Sequence, residues 1–200
     1  MSRRYIALEG AEGAGKTTVA AAVVRLLEGR GERVVAVREP GGTRLGEEIR
    51  ALLLHAGDMA PWTEAALFAA QRAQLAAEVV APALAAGSWV VADRSYYSSL
   101  AYQGGARGLG IEAVRTLNET VLAGVVPDLV AVLDVDPAAG LARQVGEDRI
   151  GGSGLAFQEA VVAAYHRLAR DEPSRVVLVP GGRPAVEVAE AVLVAAGGAR

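Results

Sequence analysis

A chain of 200 residues, 52% of them hydrophobic, can bury one sizeable core, and its formal charge of −3 offers no global attraction to nucleic acid or an anionic membrane. Cysteine is absent, which excludes disulfides, thiolate nucleophiles and cysteine-built zinc sites. Aromatic residues are only 4%, so the core must come from Ala, Val and Leu, and no row of aromatic side chains is present for stacking nucleic-acid bases.

The first β-rich run is Tyr5–Leu8, and it leads into "GAEGAGKTT", residues 10–18, which fits G-x-x-x-x-G-K-[ST] through Gly10, Gly15, Lys16 and Thr17. A helical pattern over 17–29 follows, so the motif has the strand, loop and helix context that phosphate binding requires. Lys16 is the only lysine of the chain. Its compact ammonium suits a crowded phosphate niche better than the flat fork of arginine, the other strong cation used throughout. Gly10, Ala11, Glu12, Gly13, Ala14, Gly15, Lys16, Thr17 and Thr18 are therefore the expected cradle for a nucleoside triphosphate, with the Thr17 hydroxyl on Mg²⁺.

Further β-rich runs occur at Arg33–Val37, Trp89–Ala92, Leu129–Leu133 and Arg175–Val179. Helical spacing covers 44–55, 63–86, 111–123, 137–145, 155–170 and 184–196. Strands alternating with helices imply crossover connections. The expectation is one α/β domain over 1–200: a three-layer P-loop NTPase fold with a five-stranded parallel sheet, helices on both faces and a lid near 143–155. Ligands on such sheets bind at the carboxyl ends of the strands. There lie the phosphate loop, Arg38-Glu39-Pro40, Asp93-Arg94 and Asp134. Asp134 and Asp136 also fit an ordinary strand-end turn, His55 and His166 read as plain helix positions, and Trp62 and Trp89 as packing residues. No charge-free apolar stretch reaches membrane-spanning length. The start, Met1 to Arg4, meets Glu9 and Glu12 too soon for a secretory signal, so the cytoplasm is expected.

Other nucleotide-binding classes are tested by composition. A GTP switch reads guanine with Asn-Lys-x-Asp, yet Asn118 is the single asparagine; a partitioning ATPase needs a second loop lysine. A small phosphotransferase remains.

Five stretches carry a closer resemblance: "LEGAEGAGKTT" (8–18), "REPGGT" (38–43), "FAAQRAQ" (68–74), "DRSYYSSLAYQGGARG" (93–108) and "PDLVAVLDVDP" (127–137) with "EDRI" (147–150). In this order and spacing the chain resembles bacterial thymidylate kinases, which make dTDP from dTMP and ATP. The resemblance implies that Arg38 and Arg94 hold the dTMP phosphate, Phe68 stacks on thymine and Arg72 reaches its carbonyl edge. It places Ser99 and Gln103 at base and sugar, with Tyr102 under the deoxyribose, excluding a 2′-hydroxyl. Glu12 becomes an acceptor for the dTMP 3′-hydroxyl, Asp93 a neighbour of Mg²⁺, and Arg149, helped by Arg143, a lid cation on the transferring phosphoryl group. Glu12, Lys16, Arg94 and Arg149 are then the expected catalytic set, ATP and Mg²⁺ the cofactors, and a homodimer the expected assembly, with neither nucleic acid nor membrane as partner. The lid departs from the family pattern, with Gly151 in place of a common glutamate and Ala160, Val162 and Ala164 where arginines are frequent. A kinase for another monophosphate or nucleoside, and an ATP-binding scaffold without turnover, stay open as alternatives.

Overall fold

The computed structural model describes residues 4–143 and 154–197. Five parallel strands, β1 (Tyr5–Glu9), β2 (Val34–Arg38), β3 (Trp89–Asp93), β4 (Leu129–Asp134) and β5 (Val176–Pro180), form one sheet in the order β2-β3-β1-β4-β5. Each lies where the apolar runs placed it, with its ends moved by at most a single residue. β1 and β4 are buried along almost their whole length, the pattern of strands covered on both faces.

Helices α1 (Lys16–Gly29), α2 (Arg44–His55) and α3 (Pro61–Leu75) follow the expected spacing. α3 continues through a π-helical stretch, Ala76–Val80, into the short α4 (Ala81–Ala85). The expected helix over 63–86 is thus present but widened just ahead of Pro82, whose missing N–H and bulky ring cannot continue a regular α-helix. After β3 come α5 (Tyr96–Ser99) and a second π-helical stretch, Leu100–Ala106, a helical segment that spacing did not show. Its small residues suit close packing: a Cβ on Gly105 would lie 2.6 Å from that of Ala164. α6 (Ile111–Leu122), α7 (Pro137–Leu141), α8 (Leu155–Asp171) and α9 (Ala185–Ala195) complete the described helices.

α1 and α9 cover one face, packing Val19, Val23, Leu27, Val188 and Val192 on Ile6, Leu8, Val91, Ala131 and Leu133. On the opposite face, Leu75, Tyr97, Leu100, Val114, Val161 and Leu168 pack on Ala7, Val90, Ala92, Val130 and Val132. Trp89 is buried as expected, but Trp62 is 48% exposed at the start of α3. Asp136 caps α7 by accepting from the Ala139 N–H, and Asp134 pairs with His166 at 2.9 Å, so this pair of acids serves the strand end.

The order places β1 between β3 and β4, with one branch of the chain running out to β2 and the other to β5. A crevice opens at such a switch point, beyond the carboxyl ends. Register brings the functional ends level: Arg38 lies opposite Asp93, and Asp93 opposite Leu8, one residue before Glu9. α7 presses on the loop after β1. A Cβ on Gly13 would fall on the Gly140 carbonyl, and a Cβ on Gly140 on the carbonyl of Glu12.

Overpacking of this kind costs about 1–3 kcal/mol. If the loop yields rather than the fold, Gly140→Ala should weaken triphosphate binding by roughly 5- to 150-fold with the far-UV spectrum unchanged. Calorimetric titration with an ATP analogue measures it.

Candidate active site

A cleft of about 610 Å³ lies above β1, β2 and β3. Of the expected residues, Glu12, Gly13, Gly15, Lys16, Thr17, Thr18, Arg38, Phe68, Asp93, Arg94, Ser99, Tyr102, Gln103 and Arg143 line it. Gly10 and Ala11 do not line it, Ala14 lines a smaller adjoining recess, and Arg149 lies outside the described residues.

The loop ends in Gly15, at φ 90° in the left-handed region, and α1 starts at Lys16 with no acidic residue in its first turn. The positive end of α1 is therefore left for an anion. Lys16 is 6% exposed, and its Nζ donates to the carbonyls of Gly10 and Ala11 at 3.1 and 2.7 Å. Burial, then the nearby Arg94, pushes its pKa down to about 8, against the opposing pull of Glu12, Asp93 and Glu9.

Arg94 follows β3 with φ 75°, a left-handed backbone that a non-glycine residue adopts only under constraint. It donates to Glu12 at 2.5 Å, and more weakly to Ser98 and Tyr102 at 3.4 Å. The Tyr102 hydroxyl donates to the same Glu12 oxygen at 3.1 Å, and the guanidinium sits 5.3 Å from the Tyr102 ring centre. Burial opposes ionisation of Glu12, but Arg94, Lys16 and the Tyr102 hydroxyl outweigh it and hold the carboxyl below its usual range. Glu12 is thus a carboxylate clamped between the loop and the Arg94 fork. Its backbone N–H is held at 3.1 Å by Gln158 of α8.

Arg38, half exposed at the end of β2, lies against Glu47 with one nitrogen 2.8 and 2.9 Å from its two oxygens. The Gly42 N–H, and after it Arg38, hold the Glu47 carboxyl below its usual range despite a small burial effect. Phe68 is buried with its ring on the cleft wall. Arg72, one turn later, is only 2% exposed and does not line the cleft. It donates to Glu39 at 2.6 Å, to Asn118 at 2.5 Å, and to Ser99 and the Ser95 carbonyl at 3.3 Å. One of its five N–H groups is left over. Ser99 therefore stands between Arg72 and the cleft. Gln103 donates to the buried Glu64 at 2.7 Å.

Thr17 and Asp93 meet at the loop end, the hydroxyl donating to the carboxylate at 2.6 Å. These hard oxygen donors fit Mg²⁺, which takes one or two protein oxygens and completes its shell with water and phosphate. Among the described residues no cluster of three or more acidic, His or Cys side chains forms a self-sufficient metal cage. A smaller recess of about 290 Å³ adjoins the cleft, sharing Gly15, Thr18 and Arg143 and reaching Gly181, Gly182 and Arg183 after β5.

Sequence reasoning missed Glu9, Ser98, Arg50 and the Gly181–Arg183 turn. Glu9 is fully buried beneath the cleft, while Ser98 and Arg50 line it. Glu9 and the turn carried a signal in their position at the carboxyl ends of β1 and β5.

A family model described as thymidylate kinase matches residues 8–192. The chain belongs to the thymidylate kinase family. Thymidylate kinase of Synechococcus sp. (strain JA-3-3Ab) is 44% identical over 185 residues, covering 92% of this chain and 91% of its own. The thymidylate kinase of Leifsonia xyli subsp. xyli is 46% identical over 190 residues, covering 92% and 90%. The crystal structure of thymidylate kinase from Ehrlichia chaffeensis superposes with a TM-score of 0.77 at 29% identity, over 95% of this chain and 96% of that one. The resemblance in "REPGGT" and "DRSYYSSLAYQGG" thus extends through the thymidylate kinase fold as a whole.

The buried Lys16 gives a pH signature. Its pKa of about 8 lies below the ordinary 10.5, so between these values the folded chain binds fewer protons than the unfolded one and stability rises with pH. Phosphate favours the ammonium. Triphosphate affinity should be flat below about pH 7 and weaken above about pH 8, by up to about tenfold per unit, while Lys16→Ala binds weakly without that slope. Titrations across pH 6.5–9.5 in one buffer series, about this pKa, check it.

Proposed function

We propose that this thymidylate kinase transfers the γ-phosphoryl group of ATP to the phosphate of dTMP, giving ADP and dTDP. The observation that carries the reading is one cleft with two cationic phosphate sites on its floor: the loop with Lys16 and the end of α1, and Arg94 with Arg38. Between them stands Glu12, bonded to Arg94.

An ATP triphosphate lies in the loop, Lys16 leaving the Gly10 and Ala11 carbonyls for the β- and γ-oxygens. The base occupies the recess by Gly181, Gly182 and Arg183, with Arg143 at its rim. Thr17 and Asp93 would hold Mg²⁺, which would supply neutralisation of charge on the phosphates. At the other end, dTMP places its base against Phe68, with Ser99 and Gln103 at its edge and Arg72 acting through Ser99. Tyr102 and Glu12 take the sugar side. The acceptor phosphate is ionised at pH 7, its second pKa being about 6, so no general base is needed. An acceptor oxygen attacks the γ-phosphorus in line, and the bond to the β–γ bridging oxygen breaks with its electrons going to ADP. Arg94 exchanges Glu12 for phosphate oxygens as the two anions approach. Positioning and charge neutralisation by Lys16 and Arg94 supply the rate.

Leu45 and Leu52, seven residues apart on α2, are 45% and 52% exposed. We read this apolar stripe as part of the surface through which two copies pair. No helix among the described residues is long and apolar enough to cross a membrane.

ADP release with ATP and Mg²⁺ tests the reading. dTMP should be turned over rapidly, and dUMP with kcat/KM lower by about 10- to 200-fold, the worth of one methyl group in a pocket. UMP, CMP, AMP and GMP should give negligible rates. Lys16→Ala should lower kcat by about 10²–10³-fold. Tight dTMP binding without turnover would replace the kinase reading by that of a nucleotide-binding scaffold.

A further inference from the structure

Beneath the cleft, where β1 ends, Glu9 is completely buried. Five donors converge on its carboxylate. The Ser95 N–H and hydroxyl and the Ser98 N–H reach one oxygen at 2.7, 2.8 and 3.1 Å. The Ser98 and Tyr165 hydroxyls reach the other at 2.6 and 2.7 Å. Part of this arrangement is structural: the two N–H groups belong to the first turn of α5, and Tyr165 ties in α8. One branch leads elsewhere, because Ser98 lines the cleft and lies 3.4 Å from the Arg94 guanidinium.

We propose that Glu9 is a positioning residue for phosphoryl transfer, acting through Ser98 on Arg94. The polarity of the hydrogen bonds carries the argument. A serine hydroxyl has one hydrogen and two lone pairs. Glu9 receives that hydrogen, so the Ser98 oxygen turns a lone pair toward Arg94 and only a donor fits there. Tyr165, 3.4 Å from the same oxygen, spends its own hydrogen on Glu9 and leaves this direction to Arg94. Arg94 is thus held on both nitrogens, one on Glu12 and the other shared between Ser98 and the Tyr102 hydroxyl. Phosphate can displace the Glu12 contact. The Ser98 contact is made by the other nitrogen and survives the exchange, so the fork keeps its orientation while its partner changes from carboxylate to phosphate. The left-handed backbone at Arg94 is tied separately, by its N–H donating to the Leu8 carbonyl at 3.0 Å.

This inference rests on the kinase reading, and wild-type turnover of dTMP tests that reading separately. Ser98→Ala removes the link and leaves four of the five donors on Glu9. It should lower kcat by about 10- to 100-fold, the worth of one hydrogen bond to a charged group, with KM for ATP unchanged. Ser95→Ala removes a donor from the same carboxylate without touching Arg94. It should lower the melting temperature and leave kcat and both KM values as in the wild type. In an Arg94→Lys background, which lacks the second nitrogen, Ser98→Ala should cost nothing further. A Ser98→Ala enzyme with wild-type kcat would overturn the proposal. So would an equal kinetic loss in Ser95→Ala, which would make the role one of helix integrity. A full loss retained in the Arg94→Lys background would overturn it too, by making Ser98 a direct substrate contact.

Discussion

Two cations, the buried Lys16 and the part-buried Arg94, are held near each other at the ends of β1 and β3, and most of the site follows from keeping them there before any phosphate arrives. Burial first, and then the neighbouring Arg94, disfavour the Lys16 ammonium, as its lowered pKa records. Water cannot screen the repulsion, so carboxylates do: Glu12 on Arg94, Asp93 on Thr17, and Glu9 beneath them. Removing one partner of a buried charge pair is costly because the other is left uncompensated. The acidic residues of an anion-binding cleft are therefore part of its anion binding.

Glu12 has the most exposed form of this role. A carboxylate inside a phosphate loop looks self-defeating from charge alone, yet Arg94 and the Tyr102 hydroxyl meet it. The pair keeps the guanidinium ordered in the absence of substrate, so less rotamer freedom is lost when phosphate binds. The same economy appears at Arg38, which rests on Glu47 at the outer edge of the cleft.

A second buried pair organises the end of the cleft lined by Phe68 and Ser99. Glu39, from the loop after β2, meets Arg72 of α3, and Arg72 reaches Asn118 of α6 and Ser99 at the end of α5. Burial raises the Glu39 pKa in spite of Arg72, so the contact draws its strength from dense hydrogen bonding as much as from charge. Gln71 adds to it by accepting the Gly41 N–H. The "REPGGT" loop is thereby joined to three helices, and the wall carrying Phe68 and Ser99 becomes rigid scaffold, as discrimination between similar bases requires.

Much of this was legible in the residues alone. The phosphate loop depends on local chemistry, glycines where the backbone must turn and a lysine at a fixed step before a helix, and so do the five apolar runs that became β1 to β5. What sequence order could not carry was direction. Arg72 read as a base-facing arginine because it follows Phe68 by one turn, but only the packing of α3 against α6 buries it on Asn118 and leaves Ser99 in front. Glu9 stood in the sequence only as an early charge after the first apolar run, and its role came from α5 and α8 closing over it. The helical segment after β3 was hidden because its serines and glycines lack an apolar period; its shape comes from close approach to α8. The sequence by itself determined the order of strands and helices and the chemistry available at each strand end, since both follow from neighbours along the chain. Tertiary structure decided which carboxylate faces which arginine, because a side chain's partners come from distant segments that only the folded sheet brings together.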